Sequence, residues 1–308
     1  MDGEDLRKSR KGRKNLRCVT PCLGTPGPLG HDRSAGPALA RLKNASHAHG
    51  NRTGEEAEDM PEPGSDLSYE VVGLRPVTPV IVELTLRPRS AALRYTAGQY
   101  VLLSDVAGRL PQRSYSIANA PRADGLITIL VTRVEGGVLT TWLHERLRPG
   151  DEVALEGPYG TFVPVTDRPL LLLAGGSGLA PMRAIAEASL AERPKRPVTL
   201  FFSARTARDV IDRRLFADWQ RSHETFRYLL TLTREDGAPL RGRIPDLLQG
   251  AVGSAAEHEV FIAGSEPFVA DCLKAVRSLG ADGAQVHTEP FFCEPQPWLS
   301  QPGDQPGS

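Results

Sequence analysis

The rhythm of apolar and polar positions changes twice along this chain. From Met1 to about Asp66 the residues are mostly Gly, Pro, Ser, Arg and Glu, with few large apolar side chains and no sustained period of 2 or 3.6. That pattern predicts a loose tail. From about Leu67 short β-rich runs follow one another: Tyr69 to Leu74, Val80 to Leu86, Tyr100 to Ser104, Arg113 to Ala118, Leu126 to Val134 and Glu152 to Glu156. Glycines and prolines punctuate them at close spacing, which predicts a compact antiparallel barrel interrupted by one helix, Leu139 to Leu147.

After Gly157-Pro158-Tyr159-Gly160 the texture becomes that of buried strands, Leu170 to Ala174, Val198 to Ser203, Tyr228 to Thr233 and Val260 to Ala263. Helical segments lie between them, at Met182 to Ala191, Ile211 to Ser222 and Pro267 to Leu279. This alternation predicts a parallel sheet covered by helices. The fold class expected is a β barrel plus an α/β unit, with the boundary near Val165 to Arg168. The divisions are a tail over 1–66, a barrel over 67–166, a parallel-sheet domain over 167–293 and a loose polar tail over 294–308. A chain of 308 residues is long enough for two such cores.

Charge changes this picture little. Lys+Arg and Asp+Glu number 37 each, so no global field favours nucleic acid or a membrane surface. Residues 7–17 hold seven basic side chains, but without an apolar stripe they read as a solvated tail. No window approaches a membrane span, and Met1-Asp2-Gly3-Glu4-Asp5 lacks the basic start of a signal peptide. Cys18, Cys22, Cys272 and Cys293 are too scattered for a disulfide framework or a zinc site, so a reducing cytoplasm is expected.

Three segments offer chemistry. In Arg113-Ser114-Tyr115-Ser116 a guanidinium, a phenol and a hydroxyl fall on one short strand that can present them to one ligand. By itself such a stretch reads more readily as a cross-strand ladder, and it is the context that favours a ligand. Gly136-Gly137 with Thr140 opens a helix, where backbone donors and the positive helix end suit a diphosphate. Gly175-Gly176-Ser177-Gly178-Leu179-Ala180-Pro181 repeats that physics after the strand Leu170 to Ala174, giving the strand–turn–helix setting such a loop requires.

Taken together and in this order, with Ala97-Gly98-Gln99-Tyr100, Gly157-Pro158-Tyr159-Gly160, Ala263-Gly264-Ser265 and Glu289-Pro290-Phe291, the motifs make the chain resemble the ferredoxin–NADP reductase family across 67–292. The resemblance implies an FAD-binding barrel, with Arg113 on the pyrophosphate, Tyr115 against the isoalloxazine and Ser116 near N5. Gly136, Gly137 and Thr140 would hold the diphosphate. It implies NAD(P)H in the second domain, over Gly176, Gly178 and Pro181, with Gly264 lining the nicotinamide approach. Phe291 would cover the flavin, with Phe292 and Trp298 as alternatives. Ser116, Glu289 and Phe291 are the catalytic candidates. One departure is Ala263, where many relatives carry cysteine.

Ser203, Arg205, Arg208 and Arg234 follow strand ends near the implied adenosine site, and their charges favour NADPH over NADH. The cysteines do not supply the spacing of a plant-type [2Fe-2S] site. The expected function is an FAD-dependent NAD(P)H oxidoreductase passing electrons to a separate acceptor, a ferredoxin, flavodoxin or haem protein. Two alternatives are a reductase of small acceptors such as ferric chelates, free flavin or quinone, and a non-catalytic flavin- or nucleotide-binding sensor.

Overall fold

The computed structural model describes residues 67–291 and arranges them around two six-stranded sheets. The first contains β1 (Leu67–Thr78), β2 (Ile81–Pro88), β3 (Tyr100–Asp105), β4 (Arg113–Ser116), β5 (Ile127–Thr132) and β6 (Glu152–Tyr159). Their order is β4-β3-β6-β1-β2-β5, and every pairing is antiparallel. A bridge between Ile117 and Ile129, with Ala118 N–H donating to Thr128 O at 2.7 Å, joins the two ends of that order and closes the barrel. Alternate residues of the strands, among them Tyr69, Val71, Leu84, Leu86, Val101 and Leu103, fill its interior. Helix α1 (Val138–Glu145) adds Leu139 and Leu143 to the same core.

The second sheet contains β7 (Leu170–Gly175), β8 (Val198–Ala204), β9 (Phe226–Leu232), β10 (Leu240–Arg241), β11 (Glu259–Ser265) and β12 (Val286–Phe291). All pairings are parallel, in the order β10-β9-β8-β7-β11-β12. The unbroken leucine run of β7 shows why: Leu170 and Leu172 join one apolar cluster and Leu171 and Leu173 another. Successive strand side chains point to opposite faces, so such a run needs cover on both. Helices α2 (Leu179–Glu192) and α3 (Arg213–Ser222) cover the first face through Met182, Ile185 and Phe216. Helices α4 (Ile244–Val252) and α5 (Glu266–Ser278) cover the other through Leu248, Val269 and Cys272. None of the described helices is long and apolar enough to cross a membrane.

The chain runs outward from β7 to β10 and then returns to β11 on the other side of β7. That reversal leaves a crevice at the C-terminal ends of β7 and β11, the place where open α/β sheets take ligands. The barrel packs against the same region. Ala97, Ala118, Leu130 and Phe162 share a cluster with α2, and the Phe162 ring meets Phe261 edge-on at 5.0 Å.

The barrel followed by a parallel sheet is the architecture expected from the pattern. The differences are local. Helix α3 starts at Arg213 rather than Ile211, because Asp212 holds a left-handed φ of 53°. Helix α4 and strands β10 and β12 were not anticipated. Helix α4 is short with an internal glycine, β10 has two residues, and β12 is a half-exposed edge strand in which Pro290 interrupts the β pattern. The two expected tails lie outside the described residues, as do Phe292, Trp298, Cys18, Cys22 and Cys293.

Candidate active site

The barrel and the parallel sheet meet at a hydrogen bond between residues 173 positions apart, Ser116 Oγ donating to Glu289 Oε2 at 3.3 Å. Ser116 ends β4 opposite Tyr100 of β3, which itself pairs with Tyr159 of β6, so three polar side chains line up across adjacent strands. The Tyr100 and Tyr159 rings are 5.8 Å apart. Glu289 enters from β12, beside Ala263 of β11. Burial pushes its carboxyl up to about 7, and the Ser116 hydrogen bond offsets only part of that. A carboxyl held near neutrality can keep or release a proton at working pH. Burial, followed by the nearby Glu289 charge, raises the Tyr100 phenol.

Arg113 starts β4, half-buried, with Nη1 donating to the carbonyl of Gln112 at 2.8 Å. Tyr115 is 6% exposed and belongs to the barrel core beside its register partner Val101. Burial raises its phenol, opposed by the Arg113 charge. Its ring therefore packs the barrel, whatever else it contacts.

Gly136 and Gly137 form the turn into α1, which has no side-chain cap. The Thr140 hydroxyl is taken up within that turn: it accepts from Val134 N–H at 3.2 Å and lies 3.2 Å from Gly137 O. What the turn leaves for an anion is its backbone N–H groups at the helix end, and a Cβ at Gly136 would meet nothing within 4 Å.

The second glycine turn follows β7 as a single 3₁₀ turn over Gly176–Gly178 and leads directly into α2. Gly176 has φ +58°, which favours glycine, and open space lies beside it. Gly178 is required by packing: a Cβ there would lie 2.3 Å from Ala263 O. Pro181 is buried in the first turn of α2. Gly264 stands beside Pro290, and Phe291, also buried, ends β12 beside Ser265. The two cradles thus present backbone at helix starts with room for a phosphate group, which fits the diphosphates of a flavin and a pyridine nucleotide.

Ser203 lies beside Gly175 at the end of β8. Arg205 is half-exposed and 3.4 Å from Asp209, and Arg234 N–H donates to Arg205 O at 2.9 Å, so the two loops run together. Arg208 is exposed on the turn after β8. Arg234 lines a cavity of about 310 Å³ with Thr233, Glu235, Asp236, Arg241 and Gly242. Arg241 was missed in the sequence because its strand has two residues; it pairs with Asp236 at 3.3 Å. The structure therefore brings Ser116 and Glu289 together, sets Ser203 beside the start of the glycine turn, and runs the loops of Arg205 and Arg234 side by side. Arg113 and Thr140 lie on the barrel side.

Comparison with known proteins agrees with this layout. Residues 79–163 match the oxidoreductase FAD-binding domain family, and residues 172–274 the oxidoreductase NAD-binding domain family. The chain is 35% identical to a ferredoxin–NADP reductase B of Sorangium cellulosum over 237 residues, 72% of this chain and 96% of that protein. It is 36% identical to the reductase subunit of an aromatic O-demethylase of Amycolatopsis over 206 residues, 65% of this chain and 61% of that one. Among solved structures, an Amycolatopsis cytochrome P450 reductase superposes with TM-score 0.70 at 30% identity, covering 78% of this chain and 74% of its own. A Neisseria gonorrhoeae ferredoxin NADP+ reductase with bound FAD and NADP shares the fold, with TM-score 0.64 at 22% identity, over 73% of this chain and 98% of its own.

Proposed function

The chain belongs to the ferredoxin–NADP reductase family of FAD- and NAD(P)-binding oxidoreductases, and on that premise we propose that it takes electrons from NADPH and delivers them to a ferredoxin-like or haem protein in the cytoplasm. Bound FAD supplies the hydride-accepting and electron-releasing chemistry. The chain supplies binding, orientation and control of one proton.

In this reading residues 67–166 form the FAD unit and 167–293 the nucleotide unit. Arg113 pairs with the flavin diphosphate, a charge-assisted contact, while the N–H groups following Gly136 and Gly137 complete the cradle. Thr140 holds that turn in shape through its own hydrogen bonds. Tyr115 offers a ring edge to the flavin. Gly176, Gly178 and Pro181 form the floor under the nucleotide pyrophosphate, and Gly264 leaves room for the nicotinamide. Phe291 covers the flavin until the nicotinamide arrives. Ser203, Arg205 and Arg234 take the 2′-phosphate, with hydroxyl and guanidinium donors suited to it.

The observation that carries the reading is the Ser116–Glu289 contact, which places a hydroxyl and a carboxyl of near-neutral pKa where the two binding units join. Ser116 and Glu289 hold a proton at the reactive edge of the flavin. Support for a protein acceptor comes from the relatives, whose names make them reductases of ferredoxin or reductase subunits of oxygenases and a demethylase.

The test is anaerobic stopped-flow absorbance of FAD-loaded protein mixed separately with NADPH and NADH, followed by turnover with ferredoxin-type and haem carriers. Rapid flavin bleaching, faster with NADPH, and turnover that depends on a carrier are expected. Equal turnover on ferric chelates or quinone regardless of carrier would replace the protein acceptor with a small one.

A further inference from the structure

Helix α2 is apolar on nearly every side, yet its interior carries two charged residues one turn apart, Arg183 and Glu187. Neither faces solvent freely. Arg183 is 6% exposed; its Nε donates to Ala118 O at 2.5 Å and its Nη1 to Glu83 Oε2 at 2.6 Å, with a further ion pair to Asp212. Glu187 Oε2 accepts from Ala120 N–H at 2.8 Å. Arg75 closes the group, reaching Glu83 at 2.8 Å and Asp212 at 3.3 Å. Burial alone would raise the Glu83 carboxyl, but Arg183 and Arg75 outweigh it and hold it below the usual range.

The places joined are significant. Ala118 and Ala120 follow Ser116 at the end of β4. Helix α2 begins directly after the Gly176–Gly178 turn. Asp212, in its left-handed conformation, ends the loop that carries Arg205 and Arg208. One guanidinium thus ties together the flavin strand, the pyrophosphate turn and the adenosine loop. Stability alone does not call for such a cluster, because buried ion pairs are often replaceable by apolar side chains at little cost. Directional hydrogen bonds do what apolar contact cannot: they fix the register of one unit against the other.

We propose that Arg183, with Glu187 one turn on, is a positioning residue that sets the approach of the nicotinamide-binding turn to the flavin-binding strand, so that hydride transfer depends on it although it touches neither ligand. This rests on the reading of the protein as an NAD(P)H–FAD reductase. Misplacement of reacting groups by about 1 Å costs on the order of 100-fold in rate. A loosened clasp is therefore read most directly in the hydride step.

The experiment uses the full FAD-loaded chain as wild type, Arg183→Lys, Glu187→Ala and Glu187→Gln. Flavin bleaching is followed with saturating NADPH and with NADPH deuterated at the nicotinamide C4. Arg183→Lys keeps the charge but loses the fork that reaches Ala118 and Glu83 together, and Glu187→Ala releases Ala120. Both are expected to lower the limiting rate roughly 10- to 100-fold and to raise the isotope effect, while FAD retention and nucleotide affinity stay within about twofold. Glu187→Gln, whose amide oxygen still accepts from Ala120, is expected to restore the wild-type rate. Unchanged limiting rates and isotope effects in Arg183→Lys and Glu187→Ala would overturn the proposal. So would rates that fall only in proportion to lost FAD or lost folded protein. If Arg183→Lys does not fold, half-buried Glu187 decides through its Ala and Gln pair. Failure of the wild type itself to bleach with either nucleotide would instead overturn the reductase reading.

Discussion

Glu259, at the start of β11, and Glu289, on the adjacent strand β12, lie at opposite ends of the parallel sheet and differ in burial, Glu289 being only half-buried. Glu259 is fully buried and accepts from Val165 N–H, Thr166 N–H, the Thr166 hydroxyl and Arg196. His287 lies 3.2 Å away, stacked on Phe261. Burial alone would raise the Glu259 carboxyl, but these donors outweigh it and hold it below its ordinary value. Among the described residues Glu289 has one donor, Ser116, and burial wins, raising it to about 7. The contrast separates an acid held by its donors from one whose proton is left free to titrate near neutrality. A carboxylate whose lone pairs are all engaged fastens the connection between the two sheets, and one left nearly unpaired stays able to exchange a proton.

The largest effect should come from breaking the satisfied end. Glu259→Ala strands the buried Arg196 and the N–H groups of Val165 and Thr166, and is expected to cost roughly 3–5 kcal/mol of stability in chemical denaturation. Protein that remains folded should still reduce its flavin. A midpoint that hardly moves would erase the contrast.

The end held by a single donor should answer with the opposite sign. Glu289 has a folded pKa near 7 against an ordinary value of 4.5. Its neutral form is favoured by folding, so its stabilising contribution is complete below the ordinary value and is lost as pH rises through about 7. Glu289→Gln should therefore make FAD-free protein more stable at about pH 8, by up to roughly 3 kcal/mol, and change little at about pH 4. Unfolding curves at both pH values test it; equal effects at the two would show that Glu289 is not the titrating group.

Arg113 and Arg234 extend the comparison to cations. Arg113 donates to its neighbour's carbonyl, and the Arg234 side chain has no ion-pair partner among the described residues, whereas Arg183 and Arg196 each hold a carboxylate and a backbone carbonyl. Arg113→Ala is expected to weaken FAD binding by roughly 1.5–3 kcal/mol in titration of the FAD-free protein. The smallest effect belongs to Arg234→Ala on the open cavity. It should reduce the preference for NADPH over NADH about fivefold, roughly 1 kcal/mol at an exposed site, in the ratio of kcat/KM values. Equal losses for both nucleotides would remove the 2′-phosphate role.

Much of this was legible before folding. The period-2 runs from β1 to β6 and the leucine run of β7 set the two sheets, because strand side chains must alternate between faces and a wholly apolar run must be covered twice. The glycine turns announced themselves through residue types that backbone geometry requires. Strand β12 was hidden, since a half-exposed edge strand containing Pro290 carries no strong apolar period. Thr140 looked like a ligand donor in sequence, and only its distances to Val134 and Gly137 show that its hydroxyl is occupied.

The sequence by itself determined the two-sheet architecture, the family and the flavin and nucleotide cofactors, because periodicity and short glycine motifs are local properties that act within a strand, a turn or one helix end. The tertiary structure decided which polar groups are satisfied. Ser116 meets Glu289, Arg183 reaches Ala118, Glu83 and Asp212, and Arg196 finds Glu259 only once distant segments are packed. Whether a buried charge fastens the fold or stays free for chemistry depends on donors far away in the chain, and no local pattern encodes that count.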